Sequence, residues 1–524
     1  MLHFKGWKNG TQGYTALATI FLCTALSTCS NMIKGSTAEQ YSEEIYTLID
    51  NNAQDARKHL ELFLSNSSDS LTADKFVENF YSKNDVWLWV VKDTSFIQKA
   101  EITADYLKKK ACEMGFSENA FLSNQILEDV AHFRKLDFDS TQTNVGKTMA
   151  SLELNLSKAY LRYSLGQRYG FTNPHQLHNY TEKRKEGKYR IVYDIPVEHP
   201  SNDFTQKALI HAGEDNPTLF LDSLECTHPA YKILKEHLEK DTTENDRHLT
   251  LCNMERLRWR HIQTTDSCER YIFVNIPSQQ LWAISHDSTF SMKICCGAWR
   301  TRTPLLTSKI QRIQLNPEWN IPFSILRDEV SGHGGDSAYF ARRNYFIIQK
   351  STGDTINPKN VTRVQLRSGA YHVAQHSGPR NSLGRIIFRF KNQFDVYLHD
   401  TNSRGAFNNE KRTISHGCVR VERPFDIVEF LMPNADEWLL DKMRINIDMR
   451  PVSPRGKKYL NDHRNDNDPI KPIKITSKEV LPTVPVIIDY YTLYPNPETG
   501  ILEKWPDRYE YDAKILRGIK PFLH

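Results

Sequence analysis

The stretch 394-FDVYLHDTNSRGAFNNEKRTISHGCVRV-421 decides how the rest of the sequence is read. It opens as an alternating run. Successive side chains of a strand point to opposite faces, so Phe394, Val396 and Leu398 share one face and Asp395, Tyr397 and His399 the other. A polar segment with no apolar period follows, ending in Ser415-His416-Gly417-Cys418-Val419-Arg420-Val421. A glycine before a cysteine lets the backbone pass close to a ligand and leaves successive N–H groups free to face an anion. A cysteine needs a base or positive surroundings to act as a nucleophile, and His399 and His416 are the candidates to supply them. A Cys-His pair by itself also serves metals and structure. A long polar loop inside a sheet-like region shifts the balance towards a functional site.

Working outward, the strand-like period begins at Arg270. Tyr271–Ile276 reads as a strand, Pro277–Gln280 as a turn and Leu281–Ile284 as its hairpin partner, with further strands at Phe290–Cys296, Ile310–Leu315, Ile386–Phe390 and Asp395–His399. Pro424 stands at the permitted first turn of a helix over Phe425–Leu431. A charged linker is expected from Pro451 to Lys471, then a last alternating strand over Thr483–Thr492. Between Ile321 and Tyr371 lies a polar insertion bearing Ser331-Gly-His-Gly-Gly335, which suits a lid or an ordinary excursion equally. Upstream, from Thr37 to about Asn173, the period is helical: Ala53–Leu64, Thr72–Tyr81, Leu122–Phe133 and Met149–Leu165, with Phe76, Phe80, Tyr81, Trp87 and Trp89 as core filling. Residues 175–215 read as a polar connection, followed by helices over Tyr231–Leu238 and Leu249–Trp259.

A chain of 524 residues suggests roughly three domains. Its 39% apolar and 25% charged residues fit a globular protein, and a net charge of +5 without a dense Lys/Arg block gives no reason to expect nucleic acid. Lys5 and Lys8 precede the apolar run Tyr14–Leu26, the pattern of an export leader too short for a comfortable membrane span. Leu26-Ser27-Thr28-Cys29 resembles a bacterial lipobox with Cys29 as the lipidated first residue; a cleaved soluble form and an uncleaved anchor are the alternatives. Setting aside Cys23, Cys29 and Cys418 leaves six cysteines with no CxxC pair and no zinc spacing, and Cys295-Cys296 reads as buried free thiols.

These residues resemble a known family. SHGCVR, with a histidine nineteen positions before the cysteine in YLHDT, is similar to the active-site motif of YkuD-type L,D-transpeptidases. The resemblance extends in order through Val274-Asn-Ile-Pro277, Gly297 with Thr303-Pro304, Leu315-Asn-Pro-Glu-Trp-Asn-Ile-Pro322, Gln375, Gly378-Pro379, Asn381, Leu383-Gly384 and Arg412. Asn253-Met-Glu-Arg-Leu-Arg-Trp259, Leu152-Glu-Leu154 with Ala159-Tyr-Leu-Arg-Tyr163, and Pro482–Tyr491 resemble the large YcbB-like branch. Many of that branch carry a small peptidoglycan-binding domain where about fourteen residues stand here, between Leu238 and Asn253.

The resemblance implies a multidomain α+β protein. A leader would occupy 1–29, a helical scaffold with connecting helices 37–260, and a mainly β catalytic domain 269–450 with a capping insertion at 321–371. Residues 475–524 would complete the catalytic domain with a strand and helix. It also implies acyl transfer on peptidoglycan stem peptides, forming 3→3 cross-links with release of D-alanine, with Cys418 as nucleophile and His399 as base. An L,D-carboxypeptidase, protein attachment to peptidoglycan through the same thioester, and a non-catalytic wall-binding scaffold are the alternatives. The Asp400 backbone carbonyl would orient His399, with the Asp400 side chain as rival. Ser415, His416 and Gly417 would frame the site, with N–H groups around Cys418 as oxyanion donors. Tyr397, Asn381 and Trp319 become walls, while Arg420 and Arg412 are either carboxylate clamps or loop braces. The expected protein needs no cofactor or metal, acts as a monomer, is held to the membrane through Cys29 and is acylated by carbapenems.

Overall fold

The computed structural model describes residues 38–68, 71–139, 144–180, 189–240, 243–262, 268–463 and 476–523. The leader and Cys29 lie outside them. Two compact units emerge, one of residues up to 109 with 121–163 and 203–221, the other of 110–120, 164–202 and 222–524. The segment 37–260 is thus divided between the two.

The first unit is helical. Ala38–Ser65 buries Ile45, Ile49, Ala56 and Leu60 at helical spacing, and Thr72–Lys83 buries Ala73, Val77 and Tyr81. Of the aromatics expected in its core, Tyr81 and Trp89 are fully buried and Phe76, Phe80 and Trp87 half-buried. Its centre is polar. The Glu153 carboxylate accepts the Tyr81 hydroxyl and the successive backbone N–H groups of Leu88, Trp89 and Val90, the last two at 3.0 Å.

The second unit is built on strands, in chain order β1 (Tyr193–Asp194), β2 (Arg270–Asn275), β3 (Gln280–Ser285), β4 (Thr289–Gly297), β5 (Leu305–Leu315), β6 (Trp319–Asn320), β7 (Tyr345–Gln349), β8 (Thr355–Ile356), β9 (Tyr371–Gln375), β10 (Ile386–Phe390), β11 (Leu398–His399), β12 (Thr413–Ser415), β13 (Val419–Val421) and β14 (Ser477–Asp489). The main sheet runs β5-β10-β11-β13-β4-β3-β2-β14, and β14 pairs back onto β5, so these strands close into a barrel. Closure leaves none of the eight as an open edge. The interior is apolar: Ile272, Val274, Leu281, Ile294, Ile313, Phe388, Leu398, Val419, Val421, Val486 and Ile488 form one cluster. Outside, Phe273 and Trp282 are covered by the helices Pro229–Leu238 and Glu244–Arg258 through Tyr231, Leu234 and Met254.

The structure departs from the sequence expectations in several places. The 175–215 connection contains the helix Asn202–Ala212, and its β1 pairs in parallel with β5. The linker expected from 451 opens with the helix Pro454–Asp462, because the Ser453 side chain accepts the Gly456 N–H and caps it; its remainder from 464 lies outside the described residues. The insertion carries β-structure of its own, a sheet ordered β6-β9-β7-β8 over a cluster that includes Ile321, Leu326, Val330, Phe340, Ile347 and Val373. Of the run Asp395–His399 only the last two residues join the sheet. The Asn392 side chain takes the N–H groups of Phe394 and Val396 at 2.9 and 3.2 Å, donors a neighbouring strand would otherwise use.

Candidate active site

Register fixes which residues meet. In the parallel pair β11–β13, Leu398 lies opposite Val419 and His399 opposite Arg420. Leu398, Val419 and Val421 point into the barrel, so Tyr397, His399, Cys418 and Arg420 share the outer face. The Val419 N–H donates to the Tyr397 carbonyl at 3.0 Å and ties the Cys418 turn to the histidine strand. The four residues separated by the polar loop therefore converge on one patch.

His399 is 4% exposed. Its Nδ1 contacts the Asp400 backbone carbonyl, which can only accept, so Nδ1 carries the proton and Nε2 the basic lone pair. Burial, with the nearby Arg420 guanidinium, pushes its pKa down to about 4, which makes the resting ring neutral. The Asp400 carboxylate is engaged elsewhere. It accepts the Arg385 N–H and an Arg404 guanidinium N–H, both at 2.8 Å.

Cys418 is half-buried and its thiol points at the Asp395 carbonyl, 3.8 Å away. Burial pushes the thiol pKa up, against the opposing pull of the Tyr397 backbone and the Arg420 guanidinium. The resting pair is therefore thiol and neutral imidazole, with proton transfer left to the moment of reaction. Gly417 has φ +127°, a conformation that favours glycine over any L side chain. Its N–H donates to Ser415 Oγ at 3.1 Å, and that hydroxyl in turn donates to the Cys418 carbonyl. The Gly417 N–H is thus already engaged within the turn.

The turn is held from beneath. Thr303 Oγ1 donates to the Gly417 carbonyl and accepts the Gly297 N–H, both at 2.8 Å. The Tyr509 hydroxyl accepts the Thr303 N–H at 3.2 Å and donates to the Gly297 carbonyl at 2.7 Å. A Cβ on Gly297 would stand 2.1 Å from the Thr301 carbonyl oxygen, so only glycine lets these segments meet. Sequence reasoning missed Tyr509, because a contact spanning about 200 residues leaves no local period.

The remaining sequence candidates scatter. Arg412 is buried and donates to the carbonyls of Ile294, Asn409 and Gln279 at 2.8–3.1 Å, which makes it a brace and not a substrate clamp. Asn381, 1% exposed, donates to the carbonyls of Pro317, Gln375 and His376 and is likewise structural. Trp319 sits in β6 of the insertion beside Tyr345. Arg420 stays near Cys418 and His399, and its buried Nε has no hydrogen-bond partner among the described residues. His416 is exposed and pairs with Glu329 of the insertion at 2.6 Å, a contact that ties the insertion to the catalytic turn.

Comparison with known proteins gives this geometry its class. Residues 269–488 match the YkuD family, the L,D-transpeptidase catalytic domain, and residues 75–238 match the Scaffold domain family. The catalytic part of the chain is therefore an L,D-transpeptidase domain of a cysteine transpeptidase family. A Haemophilus influenzae protein named "Putative L,D-transpeptidase" is 28% identical over 327 residues, covering 61% of this chain and 60% of that protein. Among the described residues no helix is long and apolar enough to cross a membrane.

Proposed function

We propose that the protein is a peptidoglycan L,D-transpeptidase that forms 3→3 cross-links between stem peptides. The observation that carries this reading is the convergence of a half-buried thiol and a neutral imidazole on one sheet face, the ring anchored through Nδ1. Cys418 gives its proton to His399 Nε2 as its sulfur attacks the carbonyl between the third, diamino residue and the terminal D-alanine of a tetrapeptide. The amides of His416 and Cys418 receive the oxyanion. The C–N bond breaks, the imidazolium returns the proton to the leaving D-alanine amine, and a thioester remains. The side-chain amine of a second stem then attacks, again losing its proton through His399, and Cys418 is released as the thiol.

Incubation with disaccharide-tetrapeptide, followed by mass analysis, tests the reading. Dimers with loss of one D-alanine per cross-link are expected. Tripeptide alone would assign water as the acceptor, and unchanged substrate would sink the proposal. Carbapenem should add its mass at Cys418 and at no other cysteine.

Lys5 and Lys8 before the apolar run Tyr14–Leu26 support export across the cytoplasmic membrane, and Leu26-Ser27-Thr28-Cys29 supports a lipid tether at Cys29. Fractionation of a Cys29→Ser variant should move the protein from the membrane to the soluble periplasmic fraction; unchanged membrane association would overturn the tether.

A further inference from the structure

The sheet face that holds Cys418 does not stop at Tyr397. Arg389 on β10 stands two residues beyond Ile387, the partner of His399, and so lies beside Tyr397; Arg312 on β5 pairs with Arg389, and Glu479 on β14 pairs with Arg312. A lateral row Cys418–Tyr397–Arg389–Arg312–Glu479 therefore crosses five strands on the outer face. Along it runs a groove of about 560 Å³, lined by Arg312, Arg389, Lys391, Tyr397, Leu481 and Glu479 among others. That is ample for several residues of a peptide.

Three cations line the groove with the Glu479 carboxylate, and a second carboxylate, Asp395, accepts the Tyr397 hydroxyl at 3.4 Å at the groove's Cys418 end. Arg389 is held in place: its Nε donates to Gln314 Oε1 at 2.7 Å and its guanidinium lies 4.8 Å from the centre of the Tyr397 ring. Arg312 and Lys391 are exposed, and among the described residues neither forms an ion pair. Strands lie about 4.8 Å apart, so Arg389 is roughly 10 Å and Arg312 roughly 14 Å from the nucleophile's strand position, about three and four residues of extended peptide. Arginine forks suit carboxylates, and long side chains shorten those spans. Leu481, 78% exposed, supplies an apolar wall.

We propose that this groove is a carboxylate-binding subsite, in which Arg312, Arg389 and Lys391 take the free carboxylates of a peptide substrate one to three residues from the scissile bond. The subsite rests on the transpeptidase reading above and adds to it a charge requirement. The attack on the carbonyl is unchanged; what the groove contributes is the register of an acidic peptide along the sheet face. Glu479 at the far end closes the row and disfavours a carboxylate beyond Arg312.

The test compares disaccharide-tetrapeptide with the same compound after amidation of its stem side-chain carboxylates, on the full chain and on an Arg312→Gln/Lys391→Gln variant, neither residue touching Cys418 or His399. The parent should lose about tenfold in kcat/KM on amidation, mainly through KM, the scale of a charge-assisted contact. The variant should lose a similar factor on the acidic substrate and no longer distinguish the two. D-alanine release reads the donor stem and dimer formation the acceptor, so the step that responds shows which strand lies in the groove. A parent indifferent to amidation in both steps, or a variant that still discriminates, overturns the subsite. If the parent turned over neither compound, the proposed function would fall by itself. Equilibrium binding of the two compounds to Cys418→Ala protein would then decide the groove, with equal binding counting against it.

Discussion

Two buried ionisable sites, one in each unit, differ in how completely they are satisfied. Glu153, at the centre of the helical unit, is fully buried, and burial raises its pKa; yet a hydroxyl and three consecutive backbone N–H groups answer its carboxylate. Ser157 completes the cluster by accepting Trp89 Nε1 at 3.0 Å. In the barrel, His399 is also buried, anchored through Nδ1 to the Asp400 carbonyl with a further backbone hydrogen bond at Leu383, and the Cys418 thiol has a long contact to the Asp395 carbonyl and a backbone hydrogen bond at Tyr397. Burial is common to both sites, so burial does not mark function. What separates them is how far each is satisfied: the two Glu153 oxygens accept four donors between them, while beside His399 and Cys418 the buried Arg420 Nε has no hydrogen-bond partner among the described residues.

The contrast is open to attack, most forcefully at Cys418. Cys418→Ala should abolish cross-linked dimers while shifting unfolding by no more than about 0.5 kcal/mol, because the thiol holds nothing together; turnover within about tenfold of the parent would remove it from the mechanism. Glu153→Ala should do the reverse. Four donors lose their acceptor, so denaturant unfolding should show a loss of roughly 3–5 kcal/mol, with carbapenem acylation per folded molecule unchanged. His399→Ala should leave the fold intact and slow acylation at least about a hundredfold, read by intact mass against time.

Acid should separate the two sites as well. Because the folded His399 pKa is depressed to about 4, the neutral base persists well below the usual histidine range, and the acid limb of acylation should fall near pH 4. An unfolded histidine protonates near 6.5. The unfolded chain therefore binds the extra proton as pH falls from about 6.5 to about 4, and stability from this group is complete above that window and lost through it. An acid limb at the ordinary histidine value would show that Nε2 is more solvated than the geometry implies. The smallest effect belongs to Tyr509→Phe, which deletes the hydroxyl between Gly297 and Thr303. It should cost about 1–3 kcal/mol and slow acylation without changing its pH limb.

Much of the barrel was legible because its early strands are consecutive hairpins: Arg270–Gly297 shows the alternation that each half-buried strand imposes. The face shared by Tyr397 and His399 was readable for the same reason, although the Asn392 side chain shortens that strand to two residues. Short strands such as β6 and β8 carry too little pattern to register, and the polar composition of 321–371 masked a sheet with its own apolar cluster. Glu329, Tyr509 and Arg389 were invisible as site residues, since each reaches the site through pairing or packing across distant segments. Arg412 and Asn381 read as candidates because polar residues in motifs look alike until burial shows which have spent their hydrogen bonds.

The Tyr509 tie and the closing strand have a consequence for biosynthesis. Every group in Phe394–Val421 leaves the ribosome well before β14, yet the barrel closes only when β14 joins β2 and β5, and the Gly417 turn is braced only when Tyr509 arrives. Pairings between such distant segments form late. A nascent or prematurely terminated chain would thus hold the thiol and the imidazole without holding them together, and the site would stay unassembled until synthesis had passed residue 509.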